Sequence, residues 1–273
     1  MLLTFSLCLI HAIKTGVGTV LQLMAGIAFG LLLELATIRQ LNAYRYGAFT
    51  VMVFDVPLVI GVAWGCLIYS VRTFTRALSV PEWARPVIDA LLVLTVDLSM
   101  DAIAIRLGMW DWGKGLQFQY FGVPWANFWA WSWVVFSFSA GLRLLSYRPG
   151  WMSTWLAPLG AMVIGVLGVM ASNELITNWV PRVLYESTVA GLFIMMIGLV
   201  IVLRPRLAHA PDPLAGQVAL IQHTFFLTAG LVSGILTQIP ILLVVSVLMF
   251  AIALIVYHST DLRRILAVTL RHQ

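Results

Sequence analysis

The chain has 273 residues, of which 61% are hydrophobic and only 10% charged, against roughly 25% charged in soluble domains. Apolar stretches of bilayer length recur along it. The expected fold class is therefore all-α, a polytopic integral membrane helical bundle, with residues 1–273 as a single transmembrane domain. The net charge of +5 comes from Lys and Arg in the loops, which fits membrane topology and argues against nucleic-acid binding.

In chain order, residues 2–13 are apolar but too short for a normal span. They lack a basic leader and a small-residue cleavage site, so they read as a retained segment that is re-entrant, interfacial or an extension of the first helix. About eight spans come after it, at 17–38, 52–74, 86–107, 125–146, 153–172, 183–203, 218–237 and 240–259. Proline and glycine mark the joins: Pro81 and Pro86, Pro124, Pro149 with Gly150, Pro181, Pro205, Pro211 and Pro213. Gln238-Ile239-Pro240 makes a tight turn between the last two spans. Cys8 and Cys66 lie in separate apolar runs and give neither a disulfide framework nor a metal-binding spacing.

If the C-terminus faces the cytoplasm, eleven of the 16 basic residues lie inside, Arg72, Arg76, Arg85 and Arg143 among them. The positive-inside rule supports that orientation; the expected location is the cytoplasmic membrane of a prokaryote. Glu34, Asp55, Asp97, Asp101 and Asn127 then fall toward the opposite side. Measured from a helix end near residue 107, Asp101 lies about 9 Å and Asp97 about 15 Å inward.

The stretch from Asp97 to Trp131 carries the chemistry. Asp97 and Asp101 stand at i and i+4 on one helix face. Two carboxyls that close, away from water, are not expected to be charged at once, so one keeps a proton. Ionisable residues at membrane depth are functional candidates by default; the bland alternative is satisfaction by an Arg, a Tyr or the backbone. Asp89, near the inner boundary, reads as interfacial.

Trp110, Trp112, Tyr120, Phe121, Trp125, Phe128, Trp129, Trp131 and Trp133 crowd the same end. An interfacial belt accounts for several of these. Trp129, Trp131 and Trp133 point different ways around their helix, which leaves some free to line a polyene channel or to face a cation. Tyr44 and Tyr46 are donors to a carboxyl or interfacial anchors. Gly122-Val123-Pro124 is a turn that sets Asn127 at the next helix start, a capping position. The five histidines are scattered, and there is no Walker, GxGxxG or GxSxG motif, so no nucleotide, flavin or metal cofactor is expected.

These residues resemble a family. The paired aspartates, Gly108-x-Trp110-x-Trp112, Phe121-Gly122-Val123-Pro124 and Asn127-Phe128 before Trp131 are similar to the membrane carotenoid biosynthesis proteins that include carotenoid 1,2-hydratases. Glu34, Tyr44-x-Tyr46, Val56-Pro57 and Trp64 extend the likeness, which covers about residues 30–140. The chain departs from the family pattern at Ala102, where proline is usual, and at Ala130, where glycine is usual.

The resemblance implies cofactor-independent, acid-catalysed hydration of the terminal C1,2 double bond of an acyclic carotenoid. Asp97, Asp101 and Glu34 would be catalytic, and Tyr44, Tyr46, Trp110, Trp112, Asn127 and Trp131 would line the substrate site. The implied partners are a lipophilic carotenoid, the bilayer and, as candidates, other membrane enzymes of the pathway. A carotenoid-binding or complex-organising subunit, a transporter and an end-group cyclase remain open as alternatives. A prenyltransferase needs a second Asp-rich motif, which is missing.

Overall fold

The computed structural model describes residues 1–42, 44–113, 116, 118–147 and 150–269, with 259–269 as backbone only. Gly16, at φ 125°, divides the first apolar run into α1 (Leu2–Thr15) and α2 (Val17–Leu41). The short α1 packs on α2 and α3 and on α8 near the C-terminus, burying Cys8 and Ala12. Between α2 and α3 (Leu58–Thr75) lie three two-residue strands: β1 (Arg45–Tyr46), β2 (Met52–Val53) and β3 (Val56–Pro57). Next come α4 (Arg85–Arg106), β4 (Trp110–Asp111), α5 (Trp125–Leu145) and α6 (Trp151–Glu174), which runs on through a π-helical stretch, Leu175–Trp179. The rest is α7 (Tyr185–Leu203), α8 (Pro213–Val232), α9 (Ile235–Gln238) and α10 (Pro240–Thr269).

Among the described residues, seven helices are long and apolar enough to cross a membrane. The one expected span not among these seven, 86–107, forms as the 22-residue α4. Its charged residues set it apart from the seven, and it contacts α3, α5, α7, α8 and α10 in the middle of the bundle. A charged helix lowers its cost by turning those side chains to the interior, where partners wait. Asp89 and Asp97 are fully buried, and Asp101 is 2% exposed.

Several spans differ in their bounds; the one expected at 240–259, for instance, continues as α10 to Thr269. The expected 52–74 helix begins only at Leu58, because residues 52–57 form the β2–β3 hairpin, with Phe54 at φ 54°. The expected 218–237 helix starts earlier, at Pro213, and stops at Val232. Asp212 caps it by accepting from the Leu214 N–H (2.8 Å), Pro213 takes the first turn, and Gly234 at φ 77° ends the run.

The α2–α3 contact positions a donor for the first of the buried carboxyls. Gly26-x-x-x-Gly30 on α2 meets Gly61-x-x-x-Gly65 on α3. A Cβ built on Gly26 would lie 3.1 Å from the Gly65 Cα, and one on Gly30 would lie 2.6 Å from the Trp64 Cβ. Only glycine lets the two backbones approach so closely, and close packing is what holds helices together in lipid. The spacing of each motif is plain in the sequence; that the two face one another is not.

Asp89, near the start of α4, is fully buried within the bundle, accepting from Thr75 Oγ1 (2.6 Å), from Ser139 Oγ and from Arg143 Nη2 (2.9 Å). These four polar side chains tie α3, α4 and α5 at the end remote from Asp101. Arg72 and Arg76 lie near this cluster, both donating to Gln22 on α2 (3.3 and 3.4 Å).

Candidate functional site

Glu34 lies about two turns inside α2, deeper than the helix-end position expected, because α2 runs on to Leu41. Its carboxyl is held from two sides. Trp64 Nε1 donates to Oε1 (2.7 Å), and the Tyr44 hydroxyl donates to Oε2. The α2–α3 glycine contact delivers the Trp64 donor, since Trp64 lies between Gly61 and Gly65. Two donors on a 7%-exposed carboxyl favour its acceptor role.

The tyrosines arrive by an unexpected route. β1 pairs antiparallel with β4, which sets Tyr46 opposite Trp110, and the Gly47 N–H bonds to the Met109 carbonyl (2.9 Å). Tyr44 then packs on Trp112, with ring centres 4.9 Å apart. Burial first, and the Glu34 carboxyl second, hold the phenols of Tyr44 and Tyr46 well above their usual pKa, so both remain neutral donors. Glu34, Asp101 and the two phenols line the same cavity.

Asp97 and Asp101 share the inward face of α4, as their spacing requires. The Asn127 amide donates to both: Nδ2 lies 2.5 Å from Asp101 Oδ2 and 3.2 Å from Asp97 Oδ2. The expected capping role is not what Asn127 does. Pro124 occupies the cap position of α5, and the Asn127 side chain reaches back to the acids. The loop before it is folded over the end of α4. Tyr120 donates to the Leu98 carbonyl (2.7 Å) and Arg106 to the Phe121 carbonyl (2.6 Å), while Phe121 and Gly122 take positive φ of 48° and 88°. That turn aims Asn127 at α4.

These groups line one cavity of about 850 Å³, within the range of small-molecule sites. Glu34, Tyr44, Tyr46, Asp101, Trp110, Trp112, Asn127 and Trp131 all face it. Asp97 does not; it stands behind Asn127, fully buried. Trp131 packs against Trp64, with ring centres 4.3 Å apart. Its neighbours on α5 serve packing instead: Trp129 donates to the Ser172 carbonyl (3.0 Å) and Trp133 packs on Phe136.

Sequence reasoning misses other lining residues. Trp64 enters it only through the family resemblance. Asn173 and Thr177 from α6 and its π-helical end, Arg182 just before α7, Glu186 in its first turn, and Gln222 and Phe225 on α8 also line the cavity. Nothing local marks them, for they reach the site only by long-range packing.

Fold and site together define an integral membrane helical bundle enclosing an aromatic-walled cavity with buried carboxyls. The model of a family described as carotenoid biosynthesis protein matches residues 1–199. The chain belongs to that family and has a role in carotenoid biosynthesis. No curated protein and no solved structure matches it.

Proposed function

We propose that the protein hydrates the terminal C1,2 double bond of an acyclic carotenoid, without a cofactor, in the cytoplasmic membrane with its C-terminus inside. The observation that carries this reading is the hydrogen-bonded chain Asp97–Asn127–Asp101, which opens at Asp101 onto an apolar, aromatic cavity facing Glu34.

In this reading Asp101 is the general acid. Its proton goes to C2, the alkene π pair forms the new C2–H bond, and C1 is left as a tertiary cation. The faces of Trp131, Trp64 and Trp112 stabilise that cation, more strongly in a dry site than in water. A water molecule oriented by Glu34 bonds to C1 through oxygen and loses a proton to the Glu34 carboxylate. Asp97, held by the same Asn127 amide, keeps the pair in register, and the proton taken up by Glu34 returns to Asp101 across the cavity through water, which restores both groups for the next turnover. General acid catalysis contributes typically about 10²–10⁴-fold, so the aromatic wall and the held water must supply the remainder.

The test is expression in a host that makes lycopene, with pigments analysed by mass. Asp101→Asn is expected to lower the yield of the water-adduct pigment by about 100-fold or more, and Asp97→Asn by a smaller factor. Normal yield from both variants would sink the proposal. A product of unchanged mass from the parent protein would point to ring closure or to binding alone.

A further inference from the structure

We infer that the cavity opens sideways into the bilayer between α7 and α8, and that the unreacted length of a long linear isoprenoid lies in this opening, with Phe225 setting its width. The inference rests on the hydratase reading for the identity of the chain, but its geometry stands separately.

Residues that line a cavity and face outward at the same time mark an opening. Along α7 and α8 these are Arg182 and Val183 in the 3-10 turn that leads into α7, Glu186 in its first turn, and Phe225 on α8. Gln119 also lines the cavity and faces outward, but it belongs to the loop before α5, at the interfacial end. Val183 is 84% exposed and Phe225 52%. On the inner side of α8, Gln222 and Phe226 line the same cavity while buried. α8 therefore forms a wall whose outer edge is Phe225.

The packing leaves this seam free. α7 rests on α4 and α5, and α8 on α3, α4 and α10, with little direct contact between α7 and α8 among the described residues. α7 is also the least enclosed of the seven spans, so the seam faces lipid. Phe225 is twelve residues into α8, about 18 Å along its axis. The mouth thus runs from the charged rim at Arg182 and Glu186 down to the apolar level of Phe225.

The occupant is set by shape and solvent. A long conjugated chain is stiff and cannot coil into about 850 Å³. If its end reaches Asp101, the remainder must leave the cavity, and an apolar chain leaves toward hydrocarbon. The mouth at Val183 and Phe225 supplies that exit, so these two residues select for linear chains that continue into the bilayer.

The full-length protein is tested in cells supplying either a long acyclic carotenoid or a short acyclic isoprenoid hydrocarbon with the same dimethyl-alkene end. Phe225→Trp narrows the mouth. Val232→Trp is the control, on the same helix, 84% exposed and away from the cavity. The ratio of long-chain to short-chain hydration is expected to fall about tenfold or more in Phe225→Trp, the scale of a misfitted pocket, and to hold in Val232→Trp. A ratio unchanged in Phe225→Trp, or lowered equally in the control, overturns the portal. Should Phe225→Trp fail to accumulate, Val183→Trp carries the same test from the opposite rim.

A parent protein that hydrates neither hydrocarbon defeats the hydratase reading instead. The portal is then judged by the long pigment co-purified with the parent and with Phe225→Trp, expected to drop by a similar factor. Equal amounts overturn it.

Discussion

Glu34 shows how a single acid is made useful at membrane depth. A carboxyl removed from water is costly unless its oxygens are paired, and here each oxygen has its own donor, Trp64 on one side and Tyr44 on the other. The free lone pairs are left to face the cavity. Removing one donor exposes the asymmetry between made and unmade hydrogen bonds. Tyr44→Phe is expected to destabilise the protein by about 1–3 kcal/mol and to reduce hydrated pigment, as read by thermal unfolding in detergent and by pigment mass. Unchanged unfolding and yield would mean that the phenol contributes nothing to holding Glu34. Asn127 plays the corresponding part for the aspartates, and its role is invisible at its own position in the sequence, where a helix start suggests only a cap.

At the scale of elements, the α2–α3 glycine contact and the β1–β4 pairing do the positioning. Close approach of α2 and α3 brings Trp64 to Glu34; the strand pair brings Tyr46 to Trp110 and leaves Tyr44 free to reach inward. Gly30→Ala would press a methyl group against the Trp64 Cβ at 2.6 Å. The expected cost is about 1–3 kcal/mol of overpacking, accompanied by loss of pigment hydration, since the helices must separate and carry Trp64 away from Glu34. Wild-type stability in that variant would show that the contact yields without strain. The buried Asp89–Arg143 pair fastens α4 to α5 at the other end. Its partners Thr75 and Ser139 complete the hydrogen bonding that such a pair needs to be tolerated.

For the whole molecule, the buried acids of the cavity and the larger cluster of arginines lie at opposite ends. Asp97, Asp101 and Glu34 gather about one cavity, while Arg72, Arg76, Arg85 and Arg143 cluster with Asp89 and Glu82 at the other end. That polarity matches the expected orientation with the basic end inside. A reporter that is active only in the cytoplasm, fused after residue 273, is expected to be active, and one active only outside to be silent. The reverse pattern would place the acids on the cytoplasmic side and invert the assigned topology.

Hydropathy alone determined that this chain builds a membrane helical bundle, and it located most of the spans to within a few residues, because bilayer thickness imposes a length that each segment must satisfy locally. The common face of Asp97 and Asp101 was equally legible, being a consequence of helical pitch. Only the tertiary structure decided that Asp101 opens to the cavity while Asp97 stands behind Asn127. It likewise decided that Glu34 meets Trp64 from thirty residues away and that Arg182, Gln222 and Phe225 reach the same cavity. Those relations depend on which helix packs beside which, and interhelical contacts in lipid are chosen by shape and by small-residue fit rather than by any local periodicity.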